Sequence, residues 1–575
     1  MATGRKDLPV IEWTFGVPTG PSGWTLPDQV RAQLRLAHDL REDLVTIQHE
    51  HQRAVDAVWS SYDAVAHVER LLAQAEHAVA ETLDQIRAER IRQGTKRITG
   101  DLPVRLKHQR AEAKRLRLSR RDQIAAVSKD AKPRHAELFT QLQARQRQLY
   151  APYCQDGDLY SATFNMIVRQ HKTAVNRIAA QRRQGLSAVL RHHHFDGTGT
   201  LAVQLPRVTG QPPNTPAVVA DPAGTCRNRL QLPWIDPAVW ATMSRAEQRK
   251  AGRFTVRMRC GQLDGDRQWI NFPVQAHRML PADADLTGAE LTITRAADQF
   301  RARLTVSARI PHPTPVTDGP TVAVHMGWQH TDLGTQVATW QATEPLEIPH
   351  EWSDVLRAAP DRMTGTIIVP EHIMARYDRA HRLRAVRDRD RNRLRTRLAA
   401  WLTEHGPLPH PTHAGQEVSD AEVRVWSRAQ LAELACACTA SEHPLAGDKA
   451  SDIVAVLTAR TRTDRSRWQE QEGLRGRALR RRNNVWANIA AILAGQCGQL
   501  VLDDTPIADL PGPETVTAPR RALASPGRLR TAITTACARD GVLTVTVSGA
   551  GLTRDPDRSA TELMLARARA KRRSA

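Results

Sequence analysis

Residues 321–328 read TVAVHMGW, and the rest of the chain is best understood outward from them. Thr321 to Val324 make a short β-branched run that suits a buried strand. His325 stands where that strand should end, and Gly327 follows closely. A buried strand that ends in a side chain able to bind metal, with glycine just behind it, marks the start of a site. A second run, Gln499–Asp504 (QLVLDD), ends in Asp503 with Asp504 beside it, and either can serve as the strand-end carboxylate. A third carboxylate, Asp557, precedes the helical run Ala560–Ala570.

Three such side chains at the ends of non-adjacent elements, with helices between them, have the layout of a two-metal phosphodiester site. There two Mg²⁺ ions between carboxylates clamp the attacking and leaving oxygens. Mg²⁺ wants hard, anionic oxygens in an octahedral array, and a neutral imidazole suits softer metals. With His325 in place of a carboxylate, Asp503 and Asp557 are expected to hold at most one Mg²⁺, weakly. His325, Asp503 and Asp557 are therefore read as a degenerate catalytic triad. Each aspartate taken alone reads equally as a helix cap or turn residue.

Composition points to a polyanion. The chain has 575 residues, enough for several domains, with 82 Lys and Arg against 61 Asp and Glu, a formal charge of +21. Each phosphate contact releases condensed counterions, so such a charge favours nucleic acid. The N-terminal stretch MATGRKDLPVIEW has no apolar signal core, and no apolar run is long enough to span a bilayer. The seven cysteines form no CxxC pair, the nearest spacing being Cys436-x-Cys438. A reducing, cytoplasmic setting without disulfides is expected, with no partner in the membrane.

A strand is predicted at Val10–Val17, then a helical region from Pro27, a break at 94–103 and a second, very basic helical region over 104–187. That second region reads as a lobe gripping nucleic-acid backbone or as a solvated coiled-coil hairpin. Lys96 and Arg97 in the break are candidate nucleic-acid contacts, with a structural loop as the other reading. From 191 to 310 the pattern alternates as short strands and predicts a small barrel that the first strand joins. His192, His193 and His194 lack acidic or cysteine partners at ligand spacing, which leaves phosphate or 2′-hydroxyl contact, or a plain surface cluster. After 321–328, strands are expected at Gln336–Trp340 and Thr366–Val369 with a short helix at His350–Ala359 between them. A single helix runs from Met374 to Leu402. Its Arg376, Arg379, Arg384, Arg387, Arg391 and Arg395 are candidate backbone contacts, against an i,i+4 ion-pair face as the alternative. Arg475, Arg477 and Arg480 in RGRALRRR join them. The Pro/Gly-rich stretch 505–527 has the composition of a lid loop. A helix at Leu529–Arg539 and a strand at Val542–Val547 precede the last helix.

The segments GQLVLDD, GRLRTAITTACARDGV and GAGLTRDPDRSATELMLARARA resemble the C-terminal third of transposon-derived RNA-guided nucleases and type V CRISPR effectors. That family has an RNase H-like (RuvC) domain. Its second motif ends a strand with a carboxylate, matched by Asp503, and its third is an aspartate leading an Ala-rich helix, matched by Asp557. TVAVHMG matches the first motif, with His325 in place of the aspartate. Upstream, FDGTGTLAVQL and WINFPVQAHRMLP resemble the oligonucleotide-binding wedge domain of the compact type V-M effectors, and the chain is identified as a member of that subtype. The resemblance implies an α+β multidomain protein. An OB-like β-barrel wedge domain (1–20 and 191–318) would carry an inserted helical recognition lobe (21–190). A RuvC-like domain (319–575) would follow, with a helical insertion over about 374–482, the lid 505–527 and a C-terminal segment 528–575. It also implies a CRISPR guide RNA, a double-stranded DNA target with a short T-rich flanking motif, an R-loop, processing of the precursor guide RNA, and a monomeric effector complex.

The leading expectation is an RNA-guided DNA-binding protein with a disabled nuclease site. An active guided endonuclease with an atypical His-containing site is the alternative, and a guide-independent RNA-binding protein is a third. The family's zinc ribbon, two CxxC pairs ahead of the third motif, is missing, since GAGLTR runs straight into DPDRSA. Protein purified without added metal should therefore carry no stoichiometric zinc by elemental analysis, and one zinc per chain would overturn that expectation.

Overall fold

The computed structural model describes residues 10–574 apart from 19–23, 94–99, 207–212, 222, 224–225, 227–228, 264, 297–298, 312–315, 317, 410–416, 438–450, 508–509, 511–516 and 553–558. The chain is mixed α and β and divides into two compact units, 10–295 with 300–310, and 311 onward.

The first unit begins with strand β1 (Val10–Val17). Its alternation buries Trp13, Phe15 and Val17 and turns Glu12, Thr14 and Gly16 outward. Helices α1 (Asp28–Ser60), α2 (Asp63–Gln93), α3 (Asp101–Gln148) and α4 (Ser161–Arg183) follow before strand β2 (Gly199–Gln204). Short elements α5 (Pro216–Ala220), β3 (Leu230–Gln231), α6 (Pro237–Thr242) and α7 (Arg245–Ala251) lead to the long antiparallel strands β4 (Arg253–Leu263), β5 (Asp266–Gln275), β6 (Asp285–Ala296) and β7 (Gln299–Arg309). The seven strands run β2-β6-β7-β1-β5-β4-β3. β1 lies between β7, paired from Val10↔Arg309 to Val17↔Ala302, and β5. The helices are thus an insertion between the sheet's central strand and one edge. The expected barrel is corrected here: β2 and β3 end the order, and no closed barrel is found among the described residues.

The basic α3 is less of an open surface than its sequence suggests. Arg117 pairs with Glu76, and Arg120 with both Asp56 and Glu69, which ties α3 to α1 and α2. Arg115 is held by Glu112 on its own helix. Leu40 and Leu44 of α1 pack with Phe164 and Ile167 of α4 against Ala202 of β2.

The second unit is built on a six-stranded sheet of order β10-β11-β9-β8-β14-β15. Its strands are β8 (Thr321–Thr331), β9 (Gly334–Ala342), β10 (Leu356–Ala358), β11 (Thr364–Pro370), β14 (Gln499–Asp503) and β15 (Leu543–Val547). β14 is parallel to β8 and β15, while β9, β11 and β10 continue the sheet antiparallel. The helix expected at 350–359 is instead a single 3₁₀ turn, His350–Trp352, followed by β10. Pairing of Leu356 with Ile367 buries Leu356 completely, and this tertiary gain overrides the local preference. Between β11 and β14 lie α8 (Glu371–His405), the two-stranded β12 (Leu408–Pro409) and β13 (Glu417–Val418), α9 (Asp420–Val423), α10 (Arg428–Ala437) and α11 (Ser451–Ala494). After β14 come α12 (Ala518–Ala524), α13 (Pro526–Asp540), β15 and α14 (Ala560–Ser574).

Alternation along the strands gives the sheet two apolar faces. Val322, Val324, Leu500 and Leu502 point to Trp486, Ile489 and Ile533 of α11 and α13. Ala323 and Val501 point the other way, to Met564, Leu565 and Ala568 of α14. No helix among the described residues is long and apolar enough to cross a membrane.

α8 and α11 form a hairpin that is apolar at both ends, with Leu398 and Leu457 in one cluster and Met374 and Ala478 in another, and polar in the middle. Arg387 is only 2% exposed. It grips both carboxylate oxygens of Asp464, at 2.7 and 2.8 Å, donates to Gln471 Oε1 at 2.9 Å, and lies over the Trp468 ring. Asp388 accepts from Arg428, and Asp390 pairs with Arg467. Arg387→Ala leaves Asp464 without this partner. The loss should be about 3 kcal/mol, the lower end for a broken buried pair because Asp464 is part-exposed. A clear drop in thermal midpoint is expected for Arg387→Ala and none for Arg384→Ala, which lies on the exposed face.

Candidate functional site

The β8–β14 register runs Gln499↔Thr321 through Leu502↔Val324, so the next pair in line is His325 and Asp503. Residues level in parallel strands project to the same side, and here that is the α14 side. His325 Nδ1 lies 3.2 Å from Asp503 Oδ2. The Thr505 backbone N–H donates to Asp503 Oδ1 at 2.9 Å, and Arg530 Nη2 of α13 stands 3.5 Å from the same oxygen. Arg530 also donates to the Thr505 carbonyl at 3.0 Å, which ties the turn after β14 to α13. The Asp503 side chain is 1% exposed and that of His325 16%.

Burial pushes the Asp503 carboxyl up. Hydrogen bonds from His325 and Thr505 and the field of His325 outweigh this and bring it from 3.8 to about 2. Asp504 turns away: it is exposed, and its Oδ1 accepts from the Gly549 N–H at 2.7 Å. Of the two adjacent aspartates, Asp503 is the one that faces His325. A Cβ at Gly549 would sit 2.0 Å from Thr505 Oγ1, so only glycine allows this close approach.

The donor set at Asp503 does not fit Mg²⁺. One oxygen is taken by an imidazole, the other by a peptide N–H beside a guanidinium, whereas the ion needs free anionic oxygens. Among the described residues no three His, Cys, Asp or Glu side chains gather into a metal-holding group. Asp557 lies outside the described residues, so the third member of the expected triad is not placed. The start of α14 is fixed nevertheless. Ser559 and Glu562 cap one another reciprocally, and Thr561 donates to Gln341 Oε1 of β9 at 3.0 Å. Gln341 is level with Ala323, so this end of α14 sits on the face that carries His325 and Asp503. Arg530 and Thr505 escaped the sequence reading, because neither a lone arginine in a helix nor a threonine after DD signals that it will meet a distant histidine.

The candidate nucleic-acid residues separate by environment. Arg376, Arg384, Arg477 and Arg480 are exposed on α8 and α11. Arg379 is exposed but paired with Glu470, and Arg475 with Glu472. Arg391 pairs with Asp388, and Arg395 donates to the Val425 carbonyl. Arg387 is corrected from surface contact to structural residue, since its guanidinium is spent inside the hairpin. His192 and the His193 backbone N–H both hold Glu42, at 2.7 and 3.0 Å, while His194 is exposed. Lys96 and Arg97 lie outside the described residues.

No family model matches the chain. Curated relatives do. A protein of Gordonia otitidis described as CRISPR-associated DNA-binding protein Cas12m is 46% identical over 549 residues, covering 92% of this chain and 90% of that protein. Another of the same description, from Mycolicibacterium mucogenicum, is 43% identical over 93% of this chain and 90% of its own length. Among solved structures, the Cas12f1–sgRNA–target DNA complex overlays 95% of this chain and 91% of that chain at a TM-score of 0.32 and 8% identity, a likeness too loose to place any residue. The curated relatives define the class as type V CRISPR effectors. Within it, the chain belongs to the Cas12m family.

A carboxyl held below its ordinary value favours the folded chain above that value, and its contribution fades as pH falls from about 4 to about 2. At neutral pH, Asp503→Asn should cost about 2 kcal/mol, at 1.36 kcal/mol per unit. It should also flatten the acid limb of a stability-versus-pH curve over that window, as read by denaturant titration at each pH.

Proposed function

We propose that the chain is an RNA-guided DNA-binding effector that opens and holds its target without cutting it. The description of its relatives as DNA-binding supports the first half. The second half rests on one observation: the buried Asp503 is already neutralised by His325, Thr505 and Arg530. In this reading the sheet from 321 to 547 is a RuvC-like domain whose first carboxylate has become His325, with Asp557 as its third. Any Mg²⁺ held there is single and weak. The paired-ion stabilisation of the transition state is then lacking. Losing roughly 5 kcal/mol of it slows cleavage more than a thousandfold.

Binding does not depend on that chemistry. Base pairing with the guide reads the target while the protein holds backbone. The exposed arginines 376, 384, 477 and 480 supply sequence-independent phosphate contacts with strong salt dependence. A short T-rich flanking motif, R-loop formation and maturation of the chain's own precursor guide belong to the same proposal, and no residue is assigned to guide maturation. The N-terminal sheet is read as the wedge domain and α1–α4 as the recognition lobe of a monomeric effector complex. The biological output is blocked transcription or replication.

The guide complex should shift end-labelled matched duplex and leave both strands intact in Mg²⁺ and in Mn²⁺. Guide-dependent cleavage that disappears in Asp557→Ala would instead establish an active nuclease.

A further inference from the structure

The segment 184–198, between α4 and β2, has no regular structure, yet it is pinned down. His49 of α1 bonds the Leu190 carbonyl at 3.0 Å, Arg182 of α4 donates to the Ala188 carbonyl at 2.8 Å, and Glu42 holds the backbone at His193. Between this strap and the helices lies a cavity of about 500 Å³, the size of a small-ligand site. A second of about 330 Å³ adjoins it, and both are lined by Ile178 and Val189.

The floor is apolar: Val175, Ile178 and Leu190, with Val189 56% exposed at the lip. Arg53, Arg177 and Arg191 lie along the rim, all exposed and with no ion pair among the described residues. Neither lining contains a carboxylate. An apolar floor under unopposed cations selects a ligand with a flat apolar body and an anionic edge, which is a nucleotide. A paired base stays inside its stack and cannot enter, so the nucleotide is unpaired. Gln48, Gln181 and Ser187 add uncharged donors and acceptors of the kind that bond a 2′-hydroxyl, and His49 offers a ring for stacking.

We propose that this groove between α1 and α4 binds an unpaired RNA nucleotide, its base on the Ile178–Leu190 floor and its phosphates at Arg53 and Arg177. The proposal rests on the guided reading only for the source of the RNA.

The test uses the full chain stripped of co-purifying nucleic acid and a fluorescent single-stranded RNA of about 15 nucleotides, within the span of one single-strand site. The double variant Arg53→Ser/Arg177→Ser should bind it about tenfold more weakly. Ala179→Trp, which fills the groove from an exposed position, should do the same. Unfolding midpoints equal to the parent's confirm that both variants are folded. 4-Thiouridine in the RNA should crosslink to peptides spanning 48–53 and 175–191. Unchanged affinity in both variants, or crosslinks confined elsewhere, overturns the site. Equal or tighter binding of single-stranded DNA of the same sequence overturns the assignment to RNA. Failure of the guide-loaded parent to bind matched duplex, with the groove crosslinks intact, removes the guided reading alone. Guided binding by the parent, with RNA affinity unaltered in the variants, removes the groove alone.

Discussion

Everything at the candidate site follows from the parallel pairing of β14 with β8. That register brings the end of β14 level with the middle of β8, which runs on to Thr331 against β9 rather than ending at His325 as expected, and so sets His325 and Asp503 on one face. A carboxylate as enclosed as Asp503 would be untenable alone, since an unpaired buried charge costs several kcal/mol. The protein meets this demand with its own groups: an imidazole, a peptide N–H and a guanidinium from α13. His325, from within β8, thus gives Asp503 a fixed internal partner.

The arginines tell a parallel story. The chain carries a formal charge of +21, yet many of its cations are spent internally. Arg387 welds α8 to α11 through Asp464, Arg520 of α12 clamps Glu371 and Asp378 of α8, and Arg120 joins α3 to Asp56 and Glu69. These pairs set helix register, and they take their acids out of the surface field. The arginines left facing solvent include Arg384 on α8 and Arg177 at the α4 groove.

Much of this was legible in the chain itself. The alternation of VIEWTFGV announced a half-buried strand, the β-branched run before His325 a buried one, and the arginine-covered stretch after Met374 a long helix. Each of these signals is local, because side-chain period is fixed by backbone geometry within a few residues. The runs leading to His325 and Asp503 also pointed to the family, although only Asp503 ends its strand, because pairing with β9 carries β8 on to Thr331. The helix expected at 350–359 failed for the complementary reason. Leu356 gains more by pairing across to Ile367 than its neighbours gain by coiling, and that partner is not in the local sequence.

Composition and pattern therefore determined the charge, most of the element types and the identity of the paired residues His325 and Asp503. Only the tertiary structure decided which groups neutralise Asp503, that Asp504 turns away to Gly549, that Arg387 is buried while Arg384 is not, and that the strap beside α1 and α4 borders a groove. The physical reason is common to all four. Burial and pairing are properties of residues brought together from distant parts of the chain, and spacing along the sequence carries no information about who those neighbours will be.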